Sequence, residues 1–251
     1  MWRSFLEILF PPKCLVCGTF FAPRPSPGTS QSPSVSDIAA SHLCTSCQEG
    51  ISSIVSPMCS RCGIPFSSRA GEDHFCSACL TEKRHFRKAR AVGVYQGTLM
   101  EAIHGLKYGG KTALSKPLGD LAKDTFCQFW NAGSIDLLLP VPLHIKRLRQ
   151  RGFNQACLVN KKWAAREGIL FDAFALSRSR WTEPQTSLAR AERHKNVRGA
   201  FCLRHPDKVK DQRILLVDDV FTTGATVNEC ARVLMKAGAR WVDVLTLARA
   251  V

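Results

Sequence analysis

The stretch that decides the fold runs "ILLVDDVFTTGATV", from Ile214 to Val227. Four apolar residues lead into two adjacent carboxylates, Asp218 and Asp219. A Thr-Thr-Gly turn follows, and then residues at helical spacing. An unbroken apolar run is how a strand reads when both its faces are covered. Ligands of open parallel sheets sit at the carboxyl ends of such strands, and Asp218 and Asp219 are expected at such an end. The segment Val220 to Thr226 leads into a helix N-terminus, where unpaired amides and the helix dipole favour an anion. Gly224 lets a phosphate approach the backbone, and Thr222, Thr223 and Thr226 add hydroxyl donors. The stretch can hold a sugar phosphate, with the carboxylates on vicinal hydroxyls and the turn on the 5′-phosphate.

Outward from this point the chain alternates strands and helices. "KARAVGVYQG" (88–97) reads as an opening strand, and "TLMEAIHGLKY" has helical spacing through Met100, Ile103 and Leu106. A second helix is expected around 113–130. "SIDLLLPVP" reads as a buried strand with a Pro-rich exit, and "RGFNQACLVNKKWAAREG" opens a helix ending near Gly168. "TVNECARVLMKAGA" puts Val227, Cys230, Ala231 and Leu234 on one helix face, with Gly238 as its stop. "WVDVLTLAR" is the last strand. The pattern predicts an α/β domain over 86–251, its parallel sheet covered on both faces.

The chain has 251 residues, enough for one such domain and a small appendage. No run reaches the 18 or so apolar residues of a membrane span. The start, "MWRSFLEILFPPKC", lacks a cleavage pattern, so a cytoplasmic protein is expected. Net charge is +15. Residues 1–85 hold seven Lys/Arg against six Asp/Glu, and residues 86–251 hold 28 against 14. The excess therefore lies in the second domain and favours a polyanionic ligand, a phosphorylated small molecule or nucleic acid. A solvated basic surface is the plainer alternative.

Eight of the 12 cysteines form four C-x-x-C pairs: Cys14/Cys17, Cys44/Cys47, Cys59/Cys62 and Cys76/Cys79. Two such pairs supply the four thiolates of a tetrahedral zinc site. Four pairs without an export signal read as two structural zinc sites rather than a disulfide framework. Sequential pairing gives a ribbon from Cys14, Cys17, Cys44 and Cys47, and a second from Cys59, Cys62, Cys76 and Cys79. An interleaved cross-brace is the less economical alternative, and His42 and His74 are bystanders or substitute ligands. The second loop has 13 residues between its knuckles and the first has 26, including the Pro/Ser-rich "APRPSPGTSQSPS". That insertion, about 22–41, is expected to be disordered. The ribbons occupy 1–85. Cys127, Cys157, Cys202 and Cys230 are isolated and expected to be small core residues.

"LLVDDVFTTGAT" resembles the 5-phosphoribosyl-1-pyrophosphate (PRPP) motif of type I phosphoribosyltransferases. The four Cys pairs, "GLKYGGK", "PVPLHIKRLRQRGFNQ", "QTSLARAERHKNVRGAF" and the PRPP motif together resemble the ComF family over nearly the whole chain. The resemblance implies a double zinc ribbon before a phosphoribosyltransferase-like domain, and a link to natural competence and incoming DNA. It implies that Asp218 and Asp219 hold the ribose hydroxyls while Thr222 to Thr226 wrap the 5′-phosphate. It makes Pro142 to Asn154, with Arg147, Arg149 and Arg151, the pyrophosphate loop. It makes 182–198, with Arg190, Arg193 and Arg198, the flexible catalytic loop. Lys107 and Tyr108 match the family, and Mg²⁺ would accompany PRPP. The acceptor is not implied.

Two rivals remain. "GLKYGGKT" (Gly105 to Thr112) matches the P-loop pattern of an ATPase. A P-loop must follow a strand, however, and the residues before this match are helical in spacing. The other rival is a non-catalytic module handling single-stranded DNA on the same basic face. Phe153, Trp163 and Trp181 would be its stacking groups, or else core residues. Either reading allows competence DNA-uptake proteins as partners.

Overall fold

Apolar residues on both sides of the central strands require a sheet buried on two faces, and the chain builds one. The computed structural model describes residues 11–22, 42–68, 70–181 and 195–251. Nearly all of the insertion at 22–41 lies outside them. The elements of the large domain are β1 (Ala89–Val94), α3 (Gly97–Tyr108), α4 (Ser115–Phe129) and β2 (Leu137–Pro140). Then come α5 (Ile145–Arg151), α6 (Gln155–Arg166), β3 (Leu170–Phe171), β4 (Leu176–Arg178) and β5 (Phe201–Leu203). The chain closes with β6 (Arg213–Phe221), α7 (Ala225–Lys236) and β7 (Trp241–Arg249). Two short helices precede them in the ribbons, α1 (Thr45–Glu49) and α2 (Ser77–Thr81).

Five strands form one sheet in the order β1-β7-β6-β2-β3, all neighbours parallel. β4 and β5 pair antiparallel as a separate hairpin. Along β6 the side chains alternate between two cores. Ile214 and Leu216 join one, Leu215 and Val217 the other. The second core is filled from α3, α4 and α6 by Leu99, Ile103, Leu106, Phe126 and Trp163. Gly119 of α4 makes this packing close, since a methyl group there would strike the Val159 carbonyl of α6 at 2.6 Å. The first core is filled from α7 by Val227, Cys230, Ala231 and Leu234, by Cys59, Cys62 and Cys79 from the second ribbon, and by Phe86 just after it. That ribbon is thus packed into the main core. Cys14, Leu43, Cys44 and Cys47 of the first ribbon form a small cluster of their own.

Three expectations are corrected. Of the isolated cysteines only Cys230 is a core residue. Cys127 and Cys202 are exposed and Cys157 is half-buried, because they stand on outward-facing positions of α4, β5 and α6. The carboxylates do not end their strand, since β6 runs on to Phe221. The segment 142–154 is not all loop. It contains α5, started by the His144 side chain accepting from the Lys146 amide and stopped by Gly152 at φ 78°. No helix among the described residues is long and apolar enough to cross a membrane.

Candidate active site and metal centres

The register of β2 against β6 sets the site. Leu139 pairs with Leu216 and Pro140 with Val217, so the exit of β2 lies level with Asp218. The chain after β2 leads to α6 on one face of the sheet, and the chain after β6 leads to α7 on the other. Neighbouring strands whose helices leave to opposite faces open a crevice at their carboxyl ends. Here the crevice is a cleft of about 720 Å³. Asp218, Asp219, Val220, Thr222 and Thr226 line one side, and Pro142, Arg147 and Arg151 face them. Asn154 closes the loop by donating to the Val141 carbonyl at 3.0 Å, while its side-chain oxygen accepts from the Ala156 amide and starts α6.

The two carboxylates are adjacent in sequence but point to opposite faces of β6. Asp219 meets Lys107 Nζ at 2.9 Å and accepts a short hydrogen bond from Gln155 Nε2. Burial pushes its carboxyl up, but the Lys107 ammonium and these hydrogen bonds outweigh burial and hold it below the ordinary range. Among the described residues, Asp218 accepts only the Asp219 amide, at 2.8 Å. Burial, and then the neighbouring Asp219 charge, push it up to about 7. One carboxylate is therefore firmly ionised while the other titrates near neutrality.

Behind the turn, Gly224 has φ 77° and caps α7. A methyl group at this position would collide with the Phe221 ring, so both conformation and space require glycine. Thr223 Oγ1 accepts from the Ala225 amide at 3.3 Å, which fixes the first turn of the helix. Thr223, Gly224 and Ala225 shape the turn without lining the cleft.

The predicted cations divide. Lys107, Arg147 and Arg151 line the cleft. Arg149 is exposed and lies off it. Arg198 borders a second hollow on the outer side of α7, with Gly199, Asn228, Glu229 and Arg232. Arg190 and Arg193 lie outside the described residues. Four polar lining residues went unpredicted: Arg178 on β4, Gln155, and the pair Tyr95 and His104. Tyr95 Oη and His104 Nε2 are 2.7 Å apart. Gln155 stands in the quoted "RGFNQ", directly after the predicted loop, and was within reach of sequence reasoning. Arg178 was not, because a short hairpin strand far from the motif brings it in. Phe153 lines the cleft, Trp163 is fully buried core, and Trp181 is 39% exposed beside Lys146 and Arg147.

The P-loop reading fails on context. A helix, α3, runs through Tyr108 and precedes "GGKT", and Lys111 Nζ donates to the carbonyls of Leu15 and Val16 in the first ribbon at 3.3 and 3.2 Å.

The cysteines gather as Cys14, Cys17, Cys44 and Cys47, and as Cys59, Cys62, Cys76 and Cys79. Within each group the sulfurs lie within 4.8 Å of one another, which selects sequential pairing. The donor set fits zinc: four sulfurs at each site, with Cys59 Sγ accepting from the Cys62 and Cys76 amides at 3.4 and 3.3 Å. His74 stacks on Phe66, and neither it nor His42 joins a group.

Comparison with known proteins agrees with both halves. The double zinc ribbon domain family matches residues 5–80, and the phosphoribosyl transferase domain family matches 169–250. A DNA utilization protein YhgH from Salmonella typhi is 31% identical over 218 residues, 84% of this chain and 93% of that one. Competence protein F of Haemophilus influenzae is 30% identical over 217 residues, 85% and 93% of the two chains. Competence protein ComFC of Bacillus subtilis is 26% identical over 217 residues, 82% and 84%. With both domain families matched in order, and such relatives covered over most of their length, the chain belongs to the ComF family.

Proposed function

We propose that the chain binds PRPP with Mg²⁺ at the crevice between β2 and β6 and acts as a phosphoribosyltransferase. One observation carries the reading. Two carboxylates and a hydroxyl-rich helix-capping turn face Arg147 and Arg151 across a single cleft. The turn of Thr222 to Thr226 would hold the 5′-phosphate, and Asp218 and Asp219 the ribose hydroxyls. Arg147 and Arg151 would neutralise the pyrophosphate as it leaves the anomeric carbon and an acceptor bonds there. Mg²⁺ would add charge neutralisation on the phosphates. Asp219 is already partnered by Lys107 and Gln155, so a ribose hydroxyl would share or displace one of them. The ribbons over 1–85 and the transferase-like domain over 86–251 form the working division of the chain, in the cytoplasm, where cysteine ligands stay reduced.

Calorimetry with PRPP and Mg²⁺ tests the reading directly. Saturable binding is expected, and it should vanish when Asp218 and Asp219 are both replaced by Ala. Undiminished binding by that double variant would sink the site assignment.

A second reading draws on exposed aromatics beside cations. Trp181 lies by Lys146 and Arg147, and Tyr108, 71% exposed, lies under Arg151. Such pairs stack bases of single-stranded DNA. The names of the relatives speak of competence and DNA utilization, which suits that ligand. Salt-sensitive oligonucleotide binding without PRPP binding would favour this reading over the first.

A further inference from the structure

The second zinc group belongs to the main core, and its neighbours lead straight to the anion-binding turn. Arg249, the last residue of β7, is 6% exposed. Its Nη2 donates to Cys62 Sγ at 3.4 Å. Its guanidinium lies 4.4 Å from the centre of the Phe221 ring. Among the described residues, no hydrogen-bond partner meets its Nε or Nη1. The charge of this buried arginine is therefore met by sulfur on one side and an aromatic face on the other. A tetrathiolate zinc centre carries a formal charge of about −2, so it supplies the counter-charge that burial demands.

Phe221 passes the contact on. Its ring is the surface on which Gly224 rests, so closely that no side chain fits between them. Phe86, in the segment leaving the ribbon, packs edge-on against the same ring at 6.0 Å. A second path runs beside the first. Glu82 caps α2, the helix that carries Cys79, and pairs with Arg84 at 2.7 Å. Arg84, its side chain 3% exposed, donates to the Thr223 carbonyl at 3.2 Å. The His85 amide donates to Asn228 Oδ1 at 2.7 Å in the first turn of α7. The first zinc group has a small cluster of its own and meets the other face of the sheet, through Leu15, Val16 and Lys111, away from the 222–226 turn.

We propose that the second zinc site is a working part of the anion-binding turn, and that Arg249 is the positioning residue joining them. Metal at Cys59, Cys62, Cys76 and Cys79 holds Arg249 in place. Arg249 holds Phe221, and Phe221 sets the left-handed turn at Gly224. Loss of this metal leaves a buried guanidinium without its counter-charge, and the turn loosens as Arg249 and Phe221 move. The consequence for PRPP rests on the function proposed above. The coupling between metal and turn does not.

Hydrogen exchange at the 222–226 amides, zinc release to a chromogenic chelator and PRPP–Mg²⁺ affinity are measured on the full chain. In Arg249→Met, one of the two zinc ions should leave faster, and the 222–226 amides should exchange faster. PRPP affinity should fall about tenfold, a usual size for coupling between sites. Arg249→Lys should recover part of all three. The wild-type chain provides the same test if the variant does not fold. As the chelator withdraws zinc, exchange at 222–226 should rise while the amides of β6 and β7 stay protected. If those turn amides keep wild-type exchange after both zinc ions are gone, the proposal is wrong. Coupled zinc release and turn exchange in a chain that never binds PRPP would uphold this inference and overturn the ligand.

Discussion

Asp218 and Asp219 differ by one position and by almost everything else around them. Among the described residues, Asp219 has a lysine and a side-chain amide for partners, and Asp218 has a single backbone amide. The folded-state pKa of Asp218 is raised from 3.8 to about 7 by burial and by Asp219. A raised carboxyl pKa means that the folded state holds the proton more tightly than the unfolded chain. The resulting stabilisation is full below pH 3.8 and is lost as pH rises to about 7. Asp218→Asn should therefore raise the melting temperature at pH 8 and change it little at pH 4, as a thermal scan at the two pH values would show. The ligand effect runs the other way. In the proposed function ionised Asp218 would accept hydrogen bonds from ribose hydroxyls, so PRPP affinity should climb as pH passes through about 7. Calorimetry across pH 6 to 8 should show that climb reduced in Asp218→Asn to whatever the ligand's own phosphate contributes. An identical profile in the variant would remove Asp218 from the site.

Element by element, the sequence was most legible where periodicity and topology agree. The apolar run of β6, the face of α7 and the helix over Gly97–Tyr108 follow from spacing alone. The helix disposes of the P-loop match, with Gly105 in its last turns, although its buried face is Leu99, Ile103 and Leu106 and the expected Met100 is only half-buried at its edge. The site was legible wherever its residues lie on consecutive chain, as in the turn and in Arg147 and Arg151. It was illegible where distant segments meet. Arg178 comes from a hairpin and Arg249 from the end of β7, and no local pattern marks either one. Helix α5 was missed because seven residues, four of them basic, offer no apolar stripe, and a histidine cap is weak in sequence. These placements carry a prediction. Lys111 is a tether to Leu15 and Val16 and touches no cleft residue's carboxylate. Lys111→Ala should keep PRPP affinity within a few-fold and cost less than about 1 kcal/mol of stability, as an exposed charge does. No ATPase activity above background is expected. Robust ATP hydrolysis that Lys111→Ala abolishes would restore the rival.

At the scale of the whole molecule, two cysteine groups of identical composition have unequal standing. Both fit zinc, so metal analysis should find about two ions per chain. One ion, or iron, would contradict closed tetrathiolate sites. Replacing one cysteine in either group should lose one ion, but the consequences for stability should differ. Cys17 is exposed, and its group clusters with Leu43 and meets the second core of the sheet through the half-buried Leu15 and Val16 alone among the described residues of the cluster. Cys59 is wholly buried in the core that contains Leu137, Ile214 and Val227, and its group faces buried Arg249. Breaking the second site removes the counter-charge of that arginine, and uncompensated buried charges cost about 3–5 kcal/mol. For a chain of this size each kcal/mol moves the melting point by roughly 2–4 °C. Cys59→Ser should thus lower it by about 10 °C or more, in one transition that includes the large sheet. Cys17→Ser should release its zinc and shift the main transition by less than half as much, because its cluster can fray while β1 to β7 remain packed. Equal shifts in the two variants would mean that the ribbons are equally detached, and that the shared core around Cys59 adds nothing to the stability of the sheet.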